Sequence, residues 1–322
     1  ITAHRGRPSG HDPDLSTAII ADHLQTLTDH TVKHIDDPLP APDDIPSRDE
    51  ATIIVLENIR YVDGETDNND HIAEQLAALA DAYVLDGFGV AHRQHSSTHA
   101  IQNYLPSYTG RTIENEQQIC QEIHDESNNL HAILGGAKLQ TKIGVIHRLS
   151  DEATAVYLGG QMMLPFYAAS DYSAGDITFE EELLDATTDL ISDKIVLPVD
   201  VAIAKNNESG SRRIVDWNNI PQDYQALDIG PETVNNILEG AENADYIVWN
   251  GPLGYYENDV FAAATKTVMH GLAKQDANVI IGGGDTAALV NQENLTDEFY
   301  HVSTGGGAFL TLLESGELPA LQ

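Results

Sequence analysis

The stretch His131-Ala132-Ile133-Leu134-Gly135-Gly136-Ala137-Lys138 passes from an unbroken apolar segment straight into paired glycines and a lysine. A short continuous apolar run is the pattern of a strand buried on both faces of a parallel sheet; a strand with one wet face would alternate. The pattern recurs at residues 52–56, 82–85, 155–158, 195–199, 246–249 and 278–281. Helical spacing fills intervals between these runs, as over 71–80 and 233–241. This β-α-β-α rhythm predicts an α/β fold of doubly wound, Rossmann-like parallel sheets.

A chain of 322 residues exceeds what one hydrophobic core usually supports, so two domains are expected. The polar stretch 110–129 separates two strand-rich halves and contains a helical pattern over 114–125. The predicted organisation is a first domain over 1–113, a connecting helix over 114–128, a second domain over 129–307, and a final segment, 308–322, returning toward the first domain. The most apolar run, 155–169, is broken by Gly159, Gly160, Gln161 and Pro165, so no membrane span is expected. Ile1 to Pro8 carry neither an initiator Met nor the apolar core of a secretion signal. Cys120 is the only cysteine, which excludes an internal disulfide and points to a reducing cytoplasm. The 51 acidic against 16 basic residues leave a net charge of −35. Such a chain repels nucleic acid and suits a high-salt cytoplasm, where the Debye length of about 3 Å at molar salt screens self-repulsion.

The two halves end their strands differently. In the first half the runs lead into cations: Ile1-Thr2-Ala3 into His4, Arg5, Gly6 and Arg7, Val55-Leu56 toward Arg60, and Val84-Leu85 toward His92 and Arg93. Ligands of open α/β sheets bind at the carboxyl ends of strands, so Arg7, Arg60 and Arg93 are expected on one crevice. Guanidinium groups grip phosphate and carboxylate bidentately. A lone arginine on an acidic surface more often just pairs with a neighbour. Three of the chain's nine arginines at equivalent strand ends favour a small, multiply charged anion.

In the second half the runs lead into glycine, at Gly135-Gly136, Gly159-Gly160, Asn250-Gly251-Pro252, Gly282-Gly283-Gly284-Asp285-Thr286 and Gly305-Gly306-Gly307. Glycine at a strand-to-helix turn lets a phosphate approach bare backbone N–H groups, although any one pair could serve only a tight turn. Lys138 and Lys142, four apart, are expected on one helix face beside the first turn. Asp285 is placed to hold Mg²⁺ through nucleotide phosphates. No Walker-A or Gly-x-Gly-x-x-Gly fingerprint occurs. A metal site at His92, His95 and His99 lacks acidic or thiol partners at matching spacing, and Cys120 in the polar connector has little support as a nucleophile.

An arginine-lined half and a glycine-lined half suit a kinase for a small acid, and the motifs resemble those of phosphoglycerate kinases. They are His4-Arg5-Gly6-Arg7-Pro8, Leu56-Glu57-Asn58-Ile59-Arg60, Asp86-Gly87-Phe88-Gly89-Val90-Ala91-His92-Arg93, Leu197-Pro198-Val199-Asp200, Asp228-Ile229-Gly230-Pro231 and the glycine turns, in family order along the whole chain. The resemblance implies reversible transfer between 1,3-bisphosphoglycerate with ADP and 3-phosphoglycerate with ATP, using Mg²⁺. It implies that His4, Arg5, Gly6, Arg7, Arg60 and Arg93 hold the phosphoglycerate. Gly135, Gly136, Ala137, Lys138, Lys142, Gly159, Gly160, Asn250, Pro252, Glu257, Gly283, Gly284, Asp285 and Thr286 would hold the nucleotide. Lys142, Arg7 and the helix starts at Gly284 and Gly307 would act on the transferring group, and hinge closure would unite two sites carried on separate domains. A monomer is expected, with a dimer as the alternative.

The family pattern opens with a strand bearing Asp, Asn and Arg that does not precede Ile1. An upstream segment is expected, because losing a central strand would bare a sheet edge; a chain truly starting at Ile1 is expected to bind nucleotide with little turnover. Gln161 and Tyr255-Tyr256-Glu257 also depart from the pattern, which has a further Gly and Val-Phe-Glu. The alternatives are a catalytically weak nucleotide-binding fragment of the same family and a dinucleotide-dependent dehydrogenase.

Overall fold

The structure, a computed structural model, describes residues 1–46, 52–170, 172–175 and 177–322. They form two compact units: Ile1–Glu114 with Glu317–Gln322, and Asn115–Gly316.

The first unit contains helices Ala18–Leu27 (α1) and Asp70–Ala77 (α2) and strands Thr31–Ile35 (β1), Thr52–Leu56 (β2), Tyr83–Leu85 (β3) and Ser107–Thr109 (β4). β1 pairs with β2 and β3 with β4, both parallel. Residues 1–3 run beside β2, where the Ile1 and Ala3 carbonyls accept from Leu56 and Ile59 N–H at 2.9 and 3.1 Å. α2 begins where Asn69 accepts from the His71 N–H at 2.9 Å and carries Asp70 in its first turn, a stabilising cap and charge. Its buried face, Ile72, Ala73, Leu76 and Ala77, packs with Leu56, Ile59 and Ile101 as this unit's core. The tail docks here too, since Ala320 N–H donates to the Ala91 carbonyl at 3.0 Å. β1 escaped the sequence reading because Lys33 and His34 interrupt its apolar run on a half-exposed strand.

Helix Arg111–Glu126 (α3) carries the boundary between the units. The second unit follows with strands Leu130–Leu134 (β5), Ala155–Leu158 (β6), Ile195–Val196 (β7), Asp200–Ala204 (β8), Arg213–Asp216 (β9), Gln225–Ile229 (β10), Tyr246–Asn250 (β11), Asn278–Gly282 (β12) and His301–Val302 (β13). Its helices are Ile143–Glu152 (α4), Leu164–Ala169 (α5), Glu181–Leu190 (α6), Pro231–Gly240 (α7), Ala263–Leu272 (α8), Gly284–Gln292 (α9) and Gly306–Ser315 (α10). The main sheet has the order β13-β12-β11-β5-β6-β7, entirely parallel. From β5 the chain winds outward one way to β7, and from β11 the other way to β13. The switch point therefore falls between β5 and β11, where crevices form at strand carboxyl ends. Both strands are buried along their whole length. Trp249 on β11 is fully buried; burying a side chain of that size stabilises by roughly 1.5–3 kcal/mol. Its indole N–H is satisfied by the Gly251 carbonyl at 2.8 Å.

One expectation needs correction. The run 195–199 does not stay in the parallel sheet: it ends at Val196, and the chain enters a separate antiparallel sheet of order β10-β8-β9. Pro198 offers no N–H to continue a ladder. Asp200, opening β8, instead accepts from the N–H groups of Glu232 and Thr233 at 3.1 and 2.8 Å and thereby caps α7.

Candidate functional site

In the first unit the turn after β2 carries Arg60, whose N–H donates to Asn58 Oδ1 at 3.1 Å, while its Nη1 donates to the Gly6 carbonyl at 2.7 Å. Gly6 sits at φ +61°, with the Leu15 side chain 2.9 Å from where a Cβ would stand, so no other residue fits that turn comfortably. Arg93 Nε donates to His92 Nε2 at 3.0 Å. The fields of these groups overlap. Burial, then Arg60, Arg93 and His95 depress the His4 imidazole to about 4; burial, then Arg93 and Arg7 lower Arg60 itself. His92 and His95 are lowered in the same way, by burial and then by neighbouring cations. Burial and the crowding of the three guanidinium groups make this an undercompensated positive site, which is what a polyanion neutralises. The structure thus brings Arg7, Arg60, Arg93 and His4 together. Arg5 is occupied elsewhere, its Nη1 donating to the Ser16 carbonyl at 2.7 Å.

Two residues beside this cluster went unnoticed in the sequence, Glu65 and Ser97. Both line the cavity of about 1040 Å³ that also holds His4, Arg60 and His95. Nothing in their spacing marks them, because a turn and a loop from distant parts of the chain bring them together. His92, His95 and His99 are not among the groups of described residues that could gather on a metal; His34, Asp36 and Glu57 are, with ligand atoms within 4.8 Å of one another. Glu57 is already taken up as a brace. Ser16, Thr17 and Asn58 donate to its carboxylate at 2.6–3.0 Å, and these bonds overcome the upward push of burial to hold it at about 2.

In the second unit the loops after β5 and β11 meet at the switch point: Gly135 N–H donates to the Asn250 carbonyl at 3.0 Å and Gly136 N–H to the Pro252 carbonyl at 2.8 Å. A Cβ on Gly135 would stand 2.1 Å from the Pro252 oxygen, so this approach of two backbones requires glycine. Lys142 reaches into the junction and donates from Nζ to the Gly135 carbonyl at 2.7 Å and the Asn250 carbonyl at 3.2 Å. Burial lowers its ammonium to about 8, against the opposing pull of Asp285. The shared helix face expected of Lys138 and Lys142 is not formed. Lys138 is extended (ψ 90°) and Lys142 precedes α4 as its cap, so Lys138 is exposed while Lys142 points inward.

Beside the junction lies a cavity of about 210 Å³ lined by Gly136, Ala137, Gly160, Pro252, Glu257 and Asp285. Ala226, Leu227, Tyr255 and Tyr256 also line it. The sequence did not indicate Ala226 and Leu227, because β10 is a strand of the antiparallel sheet it did not foresee. Gly283 precedes α9 and Gly305 precedes α10 without any side-chain cap, which leaves backbone N–H donors and the positive helix ends open to phosphate. Gly284 and Gly307 are exposed in those first turns. Three of the residues expected at the nucleotide serve inside the fold. Thr286 is fully buried and accepts from Gly251 N–H at 3.0 Å; Gly159 packs on Leu253; and Asn250 Nδ2 donates to the Gly306 carbonyl at 3.5 Å. Cys120 on α3 has its thiol pushed up by burial and by Glu116, which makes it a poor nucleophile.

The family model for phosphoglycerate kinase matches residues 1–316. Phosphoglycerate kinases from Trichodesmium erythraeum (strain IMS101) and Pelotomaculum thermopropionicum are 37% and 36% identical, the match covering 100% of this chain and 84% and 85% of theirs. Solved phosphoglycerate kinase structures from Coxiella burnetii and Pyrococcus horikoshii OT3 superpose with TM-scores of 0.84 and 0.87 at 32% and 28% identity, over 100% of this chain and 84% of each of those. An α/β phosphotransferase, with a cationic cluster on one unit and a glycine-lined switch point on the other, is the class that fold and residues define. The chain belongs to the phosphoglycerate kinase family. It is a kinase whose acceptor is a carboxyl group, and the alternative of a weak nucleotide-binding fragment is not favoured. Among the described residues no helix is long and apolar enough to cross a membrane.

Proposed function

We propose that the cationic cluster of the first unit holds 3-phosphoglycerate or 1,3-bisphosphoglycerate, and that the switch-point cavity of the second unit holds ADP or ATP. The observation that carries this reading is the gathering of Arg7 and Arg93 close enough to Arg60 for their charges to act on it: three neighbouring guanidinium groups on a protein of net charge −35 have a polyanionic ligand as their natural partner. Arg7, Arg60 and Arg93 grip phosphate and carboxylate; His4, neutral at physiological pH, donates or accepts a hydrogen bond. On the other unit, Glu257 and Asp285 are the carboxylates lining the cavity, and Asp285 at the exposed start of α9 fits a hard, oxygen-seeking Mg²⁺ held through nucleotide phosphates. That ion would supply charge neutralisation on the phosphate oxygens. Lys142 and the N–H groups at Gly284 and Gly307 stabilise the charge of the transferring group, and little covalent work remains for the protein. Transfer requires the two ligands to meet, which we assign to hinge closure of the units. The monomeric state, the cytoplasm and a high-salt setting complete the proposal, the last resting on the acidic surface.

Arg93→Met tests the assignment of the first site. Its KM for 3-phosphoglycerate should rise by about two orders of magnitude, the loss of a charge-assisted bidentate contact, with the KM for ATP unchanged. An unaltered phosphoglycerate KM would refute the assignment.

A further inference from the structure

Beside the cationic cluster lies a carboxyl group that gripping an anion does not call for. Glu65 is 2% exposed and is held by the loop that follows Arg93. Ser97 N–H donates to its Oε2 at 3.1 Å and the Ser97 hydroxyl to its Oε1 at 2.5 Å. Ser96 N–H donates to the Glu65 carbonyl at 2.9 Å. His95 Nδ1 stands 4.0 Å from Oε1, the Tyr83 hydroxyl donates to the Ser97 carbonyl at 2.8 Å, and the Arg60 field reaches the carboxyl. Arg60 from the turn after β2, His95 from the loop and Tyr83 from β3 are thus the charged and titratable groups facing it.

We propose that Glu65 is a positioning residue of the phosphoglycerate site, fixing the 95–97 loop while the site is empty and taking up a solvent proton when the substrate anion binds. The proposal rests on the reading of the cluster as the phosphoglycerate site. In the free protein the carboxylate is a counter-charge for Arg60. A bound phosphoglycerate brings further negative charge to the same cation, so two anions then share it in a desolvated setting, where like charges are costly. Protonating Glu65 removes that conflict without moving a bond of the fold, because the Ser97 N–H can still donate to a neutral carboxyl. Burial already lifts the group to about 7, the Ser97 bonds and Arg60 opposing, so the proton is available near neutrality. Linkage then dictates that substrate affinity falls as pH rises through this range.

Glu65→Gln keeps an acceptor for Ser97 and removes the charge. The KM for 3-phosphoglycerate should be equal in the two proteins at pH 6, where Glu65 is neutral, and about fivefold lower in the variant at pH 8.5, with the KM for ATP alike at both. Comparing the proteins cancels the substrate's own titration. Parallel pH profiles, or equal shifts in both KM values, would reduce Glu65 to a structural role and overturn the proposal. Calorimetry of the wild-type protein with 3-phosphoglycerate at pH 8, in buffers of different ionisation enthalpy, tests it even if the variant fails to fold: net proton uptake supports it, and zero or net release overturns it. Arg93→Met separates the two failures. If that variant binds phosphoglycerate normally, the site reading itself has failed; if it binds poorly while the pH profiles stay parallel, only the role of Glu65 has.

Discussion

Lys142 shows how one side chain acquires a role from its surroundings. Its ammonium lies between the carbonyls of Gly135 and Asn250, and burial brings it down to about 8. A lysine depressed in the folded state costs stability below its folded value, and that cost disappears as pH rises toward the unfolded value. In the role proposed for Lys142 catalysis has the opposite slope, because only the charged form can stabilise a transferring phosphoryl group. The kcat/KM for nucleotide should therefore decline above about pH 8, and Lys142→Ala should lower kcat by roughly 10²–10³-fold, as removal of one transition-state donor does, with an unchanged circular dichroism spectrum. Lys142 stands out in the sequence as one of only seven lysines, following a glycine turn. Its direction was not readable, because extended Lys138 and the short turn after it break the helix that a spacing of four suggested. Glu65 was invisible for a different reason: its partners, Ser97 and Arg60, come from other segments, and a pair spacing says nothing about such a meeting.

At the scale of elements, the starts of α9 and α10 are open to an anion because glycine precedes each and no side chain caps it. The glycines there differ in what they do. A Cβ on Gly284 would have no heavy atom within 4 Å, whereas one on Gly306 would stand 2.3 Å from Gly283 Cα. Gly284→Asp should consequently fold, its melting temperature within about 2 °C of wild type since an acid suits a helix N-terminus. Its affinity for ADP should fall by about a hundredfold through repulsion of phosphate, as isothermal titration would show; retained affinity would remove α9 from the nucleotide site. The glycine runs that mark these turns were legible, as were most parallel strands. The β8–β10 sheet was not, because its members run as short as the four residues of β9, and Pro198 sits within a run that otherwise reads as one strand.

For the whole molecule the dominant physical fact is charge. At −35 the folded chain repels itself in dilute buffer, and salt removes that penalty within a few ångströms. The melting temperature should climb by about 10 °C or more between millimolar and molar KCl; a flat curve would sink the high-salt assignment. The division into two units was readable from the length and from the polar connector, and α3 does carry the boundary. A return was expected for 308–322, but only Glu317–Gln322 belong to the first unit; where the return begins depends on contacts such as Ala320 with Ala91, which have no local signature.

By itself the sequence determined the class of fold, the order of motifs and the chemical contrast between an arginine-bearing and a glycine-bearing half. Strand burial, glycine turns and side-chain charge are local properties, carried by neighbours along the chain. Tertiary structure alone decided that the turns after β5 and β11 meet at a switch point, that Lys142 faces into it, and that Glu65 lines one cavity with His4 and Arg60. Those are meetings between residues far apart in the chain, and only the packing of the folded core selects them.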